Sequence, residues 1–415
     1  MVWALWDERN VILTAITSMS VPAHRLVMLC SMRAKLPLIT EVHTHLLRAP
    51  LAQTIYTAFG RMDVRNGMLV SIHTDAGLVG LGESWVNYPS WAPVERTATI
   101  LEGFRPLLIG QRLTHPHDLW QRCFQAMRLL ALQWGAIGPI YQALSGIDIA
   151  LWDLYGKLHQ APIWQLLGAP PQETALAYAS GLAQRRQPDV GAYTAQLISS
   201  GYPAVKVKLG FGRDIDEQNV RDVHAALAGK PMLVDANQGW SLSEARAILP
   251  LLHSLKVFWL EEPLPADEPH QWRQLRQDTA LRLAAGENLY GVYQFQEWSK
   301  DVLDVIQPDI CKCGGFTAFL EIMQAASAAG KLLAPHYFGG AVGLAATLHA
   351  YAALPPQQRF YVEYDVTPNP LRDELLATPL LLQPGLLRIP QEPGLGVTLD
   401  RQTLNRCADR PPVYY

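Results

Sequence analysis

Three acidic residues stand at equal intervals in the middle of the chain: Asp235, Glu261 and Glu287, each 26 residues after the one before. Each follows a short apolar run: Leu233-Val234, Trp259-Leu260, and Leu283-Ala284-Ala285 with Gly286 between. Such an interval is about one strand-plus-helix unit, so the three belong on neighbouring strands. Carboxylates gathered in this way repel one another unless a cation or a proton neutralises them. With oxygen donors and no adjacent Cys or His, a hard ion is selected: Mg²⁺ first, Mn²⁺ second, Zn²⁺ last. A lone acid at a strand end is usually the partner of a Lys or Arg; three in register point to a metal.

Cationic groups flank the same series. Lys206 and Lys208 are two residues apart, so on a strand both face one side. Burying two ammonium groups requires anions nearby, and their mutual crowding is expected to lower a lysine pKa until it serves as a base. Asp309 falls one strand before His336, where a carboxylate fixes the imidazole tautomer and raises its pKa. Asn237 and Glu363 also fall at strand ends. Across a barrel mouth, Lys208 and His336 would meet a metal-bound substrate on opposite faces. That arrangement suits removal of a proton α to a carboxylate, with the metal stabilising the enediolate.

The elements needed to hold these groups are legible. Ala175–Ala179, Ala204–Leu209, Met232–Asp235, Val257–Leu260, Leu281–Ala285, Val305–Ile306, Leu332–Ala334 and Phe360–Val362 read as eight strands separated by helix-length stretches. This alternation predicts a barrel with reacting groups at the C-terminal strand ends. A doubly wound sheet would need a glycine-rich phosphate turn after its first strand, and none is present. Upstream, Thr40–Leu47 alternates, and Gly67–His73 and Leu78–Glu83 flank an Asp75-Ala-Gly77 turn, which predicts an antiparallel hairpin. Helical spacing follows at 94–108, 116–132 and 140–158. The expected division is an extension at 1–37, an α+β capping domain at 38–168, a barrel at 169–365 and a segment at 366–415 packing on the cap.

Composition removes other classes. The 415 residues are 49% hydrophobic and 17% charged with a formal net charge of -3, a globular profile without the basic block that nucleic-acid binding needs. No apolar run is long enough for a membrane span. Val11–Ala23 is moderately apolar but follows Asp7-Glu8-Arg9 in place of a basic flank, so an extension is preferred to a secretory signal. Five cysteines (Cys30, Cys123, Cys311, Cys313, Cys407) fit a reducing, cytoplasmic setting. Cys311-Lys312-Cys313, if on a strand, would turn both sulfurs to one face and Lys312 to the other.

Taken together, Lys206-Val-Lys208, Asp235-Ala-Asn237, Glu261-Glu262-Pro263, Gly286-Glu287-Asn288, Pro308-Asp309, Pro335-His336 and Glu363 resemble the motifs of the enolase superfamily, in its mandelate racemase-like subgroup. The resemblance runs from about Ile39 to the end. It implies a modified TIM barrel, (β/α)₇β, under an N-terminal α+β capping domain, with one Mg²⁺ and carboxylic-acid substrates. By position, Asp235, Glu261 and Glu287 resemble the metal ligands, Lys208 the base, and Lys206 a charge beside the substrate carboxylate. Asp309 and His336 resemble the opposing dyad. Glu363 resembles the acid that hydrogen-bonds the substrate carboxylate, and Asn237 joins Lys206 and Glu363 as a substrate contact. The resemblance implies dehydration of an acid sugar to a 2-keto-3-deoxy acid, with racemisation or epimerisation of a 2-hydroxy acid as the alternative and non-catalytic sugar-acid binding third. The expected partners are a small carboxylate substrate and further copies of the chain. Substrate choice is expected in the cap, at Leu51–Asp63 (with Tyr56, Arg61 and Asp63) and Trp85–Trp91, and at Tyr337 and Phe338.

Overall fold

A computed structural model describes residues 36–57, 60–182 and 189–409. The expected extension lies almost wholly outside these residues, as does Cys30. The cap begins with β1 (Ile39–Thr57), β2 (Gly60–Thr74) and β3 (Val79–Ser84), joined as an antiparallel meander. Gly77 takes φ +76° in the β2–β3 turn, a conformation that favours glycine. Leu51–Asp63, expected as a loop, is mostly strand: β1 and β2 pair from Pro50↔Val64 outward to Thr57↔Gly60 across a bulge. Strand pairing continues there because Ile55 and Met62 give the hairpin a buried face of its own.

Helices α1 (Ala92–Ala98), α2 (Arg105–Leu108), α3 (Pro116–Trp134) and α4 (Ile137–Leu158) complete the cap, α1 and α2 being linked by the π-helical turn Thr99–Phe104. A Cβ at Gly80 would stand 2.1 Å from the Ala150 carbonyl oxygen, and one at Gly82 2.0 Å from that of Gly146. Glycine at both sites on β3 is what lets α4 lie directly on the sheet. The short α5 (Ile163–Leu166) leads out of the cap.

The second region alternates without a break: β4 (Thr174–Leu182), α6 (Val190–Ser200), β5 (Val205–Lys208), α7 (Arg213–Ala226), β6 (Met232–Asp235), α8 (Leu242–Ser254), β7 (Trp259–Glu261), α9 (Pro269–Asp278), β8 (Arg282–Ala285), α10 (Val292–Asp301), β9 (Val305–Ile306), α11 (Gly315–Ala328), β10 (Leu332–Leu333), α12 (Ala341–Ala352) and β11 (Val362–Asp365). Eight parallel strands and seven helices make a (β/α)₇β modified barrel. The ladders run from β10 round to β4 and on to β11. Between β10 and β11 there is only the Leu333–Arg359 bridge, so the ladders leave that seam open. Inside, Tyr178, Ala204, Leu233, Trp259, Ala284, Val305 and Ala334 form one apolar cluster. Two residues further along their strands come Lys206, Asp235, Glu261 and His336, on the same inward face but nearer the mouth. The plug beneath excludes water and the layer above carries charge.

β11 starts and ends later than expected, so Glu363 lies inside the strand, paired with Tyr178, with Asp365 at its end. Cys311-Lys312-Cys313 is not on a strand; it forms turns leading into α11. The expected opposition of sulfurs and ammonium therefore does not apply. Cys123, Cys311, Cys313 and Cys407 are free and buried. After β11 comes α13 (Pro370–Asp373), then the chain divides. β12 (Leu381–Gln383) and β13 (Leu386–Arg388) form a hairpin that extends the barrel sheet by pairing β13 with β4. α14 (Arg401–Cys407) and β14 (Ala408–Asp409) return to the cap, where β14 pairs with β1. The segment thus packs on both regions. Among the described residues no helix is long and apolar enough to cross a membrane.

Candidate active site

Parallel pairing sets the centre. Lys208 is the register partner of Asp235, and Asp235 of Glu261. Lys208 Nζ lies 2.5 Å from Asp235 Oδ2, and Lys206 Nζ lies 2.5 Å from Glu261 Oε1, 2.7 Å from Glu363 Oε1 and 3.7 Å from Asp235 Oδ2. Glu261 Oε2 accepts from Gln307 Nε2 at 2.8 Å and from the Trp259 indole at 3.1 Å. Glu363 also accepts from the Ser180 hydroxyl at 2.5 Å and the Tyr337 amide at 3.2 Å. On the far side, Asp309 and His336 form a parallel bridge, and His336 Nδ1 lies 2.7 Å from Asp309 Oδ2. His336 Nε2 is 2.6 Å from Glu287 Oε2, an ion pair when the imidazole is protonated. Asn237 has φ +44° and donates its backbone N–H to Asp235 Oδ1 at 2.8 Å; it braces the carboxylate through the main chain.

The site is almost dry, with only Lys208 partly exposed. Burial alone would lower the Lys206 pKa, but Glu261 and Glu363 outweigh it and hold the ammonium well above the ordinary lysine range. Lys208 is raised too, because Asp235 overcomes burial and the repulsion of Lys206. The sequence predicted a lowered value, from the crowding of two ammonium groups. The correction is physical: each Nζ sits closer to a carboxylate than crowding between lysines alone would suggest. Burial opposes the charge on His336 as well, but Glu287 and Asp309 raise its pKa well above the usual imidazole value. Against its own burial, Lys206 and His336 pull Glu363 down to about 2. Burial, with Asp235 and Glu363 adding to it, pushes Glu261 up to about 7 against the pull of Lys206.

Two features fit a hard divalent ion: donors that are all carboxylate oxygens, and the raised pKa of Glu261. Lys206 and Lys208 sit on Asp235 and Glu261, and among the described residues no three His, Cys, Asp or Glu side chains are placed to share an ion. The ammonium groups thus hold charge positions for which a cation would compete.

Further groups belong to this layer but were given no role from the sequence. Glu262, at φ +38° and buried, accepts both oxygens' bonds from Asn288 Nδ2 at 3.0 Å. Lys312 Nζ donates to Asn288 Oδ1 at 3.0 Å and lies 4.5 Å from the centroid of the Trp85 ring of the cap. Its signal was a lysine in the otherwise apolar run Ile310–Cys313. Of the expected cap residues, Trp85 covers Lys312, Asn87 Nδ2 donates to the Phe338 carbonyl at 2.7 Å, and the Tyr88 hydroxyl is 3.1 Å from Thr57 Oγ1. Arg61 and Asp63 pair with each other in the exposed hairpin. Tyr337 donates to the Gly339 and Gly340 carbonyls and helps shape the turn before α12.

The family model for the mandelate racemase / muconate lactonizing enzyme N-terminal domain matches residues 39–168, and that for the enolase C-terminal domain-like fold matches 189–403. The chain belongs to the mandelate racemase-like branch of the enolase superfamily. Within this superfamily it is 34% identical over 378 residues to D-galactarolactone cycloisomerase of Agrobacterium fabrum, covering 88% of this chain and 97% of that one. It is 30% identical over 364 residues to D-galactonate dehydratase of Klebsiella pneumoniae, covering 83% and 92%. Among solved structures, a racemase from Streptomyces coelicolor A3(2) with bound magnesium superposes at a TM-score of 0.80 with 28% identity, covering 90% and 100%.

Proposed function

We infer that this enolase-superfamily enzyme is a Mg²⁺-dependent acid-sugar dehydratase. The observation that carries the reading is the placement of Lys208 and His336 on opposite flanks of the carboxylates, with His336 clamped by Asp309. Asp235, Glu261 and Glu287 hold the ion. Mg²⁺ supplies, when bound, the positive charge that stabilises an enediolate. Lys206 holds the substrate carboxylate, and Glu363, ionised beside Lys206, joins it only after taking up a proton. Lys208, once its proton is released and its hold on Asp235 broken, takes the α-proton. His336, kept protonated by its neighbours, gives its Nε2 proton to the departing β-hydroxyl. The enol left behind tautomerises to a 2-keto-3-deoxy acid. The trimmed chemistry needs no oxidant: one C–H and one C–O bond break, and water leaves.

The relative at 34% identity, named as a D-galactarolactone cycloisomerase, favours a second reading, isomerisation of a sugar-acid lactone without loss of water. Racemisation, the alternative drawn from the sequence, requires His336 to act as a base in one direction, against the charge its neighbours impose. Incubation with Mg²⁺ across acid sugars and their lactones, with semicarbazide to trap keto acids and mass spectrometry of the product, separates the three. In H₂O, loss of 18 Da supports dehydration and a keto acid of unchanged mass supports cycloisomerisation; in a parallel incubation in D₂O, inverted substrate carrying one deuterium supports racemisation.

A further inference from the structure

Arg65 lies on β2 of the cap, yet its side chain ends against the barrel and is only 1% exposed. Nη2 donates to Asp365 Oδ2 at 2.7 Å and to Thr367 Oγ1 at 2.5 Å, and Nε donates to the Pro368 carbonyl at 3.2 Å. Its Cζ is 4.5 Å from the centroid of the Phe338 ring. Two of three guanidinium nitrogens are therefore fixed. Nη1 is buried and has no hydrogen-bond partner among the described residues. A buried guanidinium N–H without an acceptor is unfavourable, and a ligand oxygen would relieve it.

The anchors of Arg65 adjoin the reacting groups. Asp365 is two residues beyond Glu363 on β11, on the same face of the strand. Phe338 is two residues beyond His336, and the cap holds its carbonyl through Asn87. Asp365 lies 2.7 Å from Arg65 and 3.8 Å from Arg372, so this buried carboxylate is shared by two guanidiniums, while Arg372 also pairs with the part-exposed Asp373. A fixed guanidinium N–H matches a carboxylate better than a hydroxyl.

We propose that Arg65 Nη1 binds a carboxylate at the end of the substrate away from the reacting centre, and so selects diacid sugars over monoacid sugars. The inference rests on the dehydratase reading for the position of the reacting end. Arg65 is here a binding residue, with Asp365, Thr367 and Pro368 as its frame. Proton transfer is untouched by it.

The test uses full-length enzyme with Mg²⁺ and pairs of C5 and C6 acid sugars that differ only at the terminal carbon, carboxylate against hydroxymethyl. Galactarate and galactonate are one such pair. The wild type is expected to favour the diacid in kcat/KM by about 10- to 100-fold, the range of a hydrogen bond to a charged group. Arg65→Met is expected to erase that preference, the loss falling on KM for the diacid more than on its kcat. Arg65→Lys, which retains a charge for Asp365, keeps the frame and is expected to lose most of the diacid preference as well. Asp365→Asn loosens the frame while leaving the donor, and is expected to retain the preference. A wild type that favours the monoacids overturns the proposal, as does an Arg65→Met or Arg65→Lys variant that impairs both classes equally. Absence of turnover on every pair overturns the dehydratase reading instead. Calorimetric binding of the same pairs then decides on Arg65: tighter diacid binding that Arg65→Lys removes supports it, and equal binding of both classes overturns it.

Discussion

Both ring nitrogens of His336 are committed, Nδ1 to Asp309 and Nε2 facing Glu287. Replacing it with Asn removes the acid without removing the base. His336→Asn is expected to lower keto-acid formation about 10²- to 10⁴-fold, the usual contribution of a general acid. The α-proton should still exchange with D₂O through Lys208, which NMR of recovered substrate would detect. Lys208→Met should abolish both exchange and product; exchange that survives it would remove Lys208 from the role of base. The 26-residue interval and the strand ends were legible in the sequence, and that is why Lys206, Lys208, Asp235, Glu261 and His336 could be named together. The direction of the lysine shifts was not, because it turns on Nζ–carboxylate distances that no spacing encodes. Lys312 escaped for a related reason: an ammonium resting on Trp85 becomes visible only once cap and barrel are brought together.

At the level of elements, acidic side chains of the cap close helix N-termini of the barrel. Glu83 on β3 accepts from the Gly340 amide at 2.6 Å and the Gly343 amide at 2.8 Å, at the start of α12. Asp148 on α4 accepts from the Thr317 amide and hydroxyl, at 2.9 and 2.7 Å, at the start of α11. Burial pushes each carboxyl up to about 7 despite these donors. A raised folded pKa means that the native state binds the proton more tightly than the unfolded chain. The stabilisation is therefore complete below the ordinary carboxyl value and is lost as pH rises through about 7. For Glu83 the loss amounts to at most about 3 kcal/mol. Urea midpoints taken from pH 4.5 to 8 should fall for the wild type and fall less for Glu83→Gln; parallel profiles would exclude Glu83 as a source. The eight barrel strands and the main cap helices were legible from periodicity. The length of the β1–β2 hairpin was not, since Arg61, Asp63 and the other polar residues at its tip read as loop while the backbone goes on pairing. The late start of β11 was hidden by Phe360 and Tyr361, aromatic residues that look like strand but precede it.

For the molecule as a whole, a divalent ion that binds only the folded barrel must stabilise it. Mg²⁺ at about a hundred times its dissociation constant is expected to add about 2.7 kcal/mol, and EDTA to reverse the gain. Glu287→Gln should weaken Mg²⁺ binding in calorimetry and shrink the thermal shift, while metal-free melting stays close to that of the wild type. A shift of unchanged size would place the ion elsewhere. The division into cap and barrel was readable from the change in texture near Thr174. The return of the chain's last described strand to its first was not, because β14 is two residues long and carries no pattern of its own. Pairing of Leu46 with Asp409 and of Leu47 with Ala408 covers an edge of β1 with residues translated after every strand of the barrel. This part of the cap sheet can therefore be closed only once Ala408 and Asp409 have emerged from the ribosome, and a nascent chain stalled before Ala408 lacks that cover.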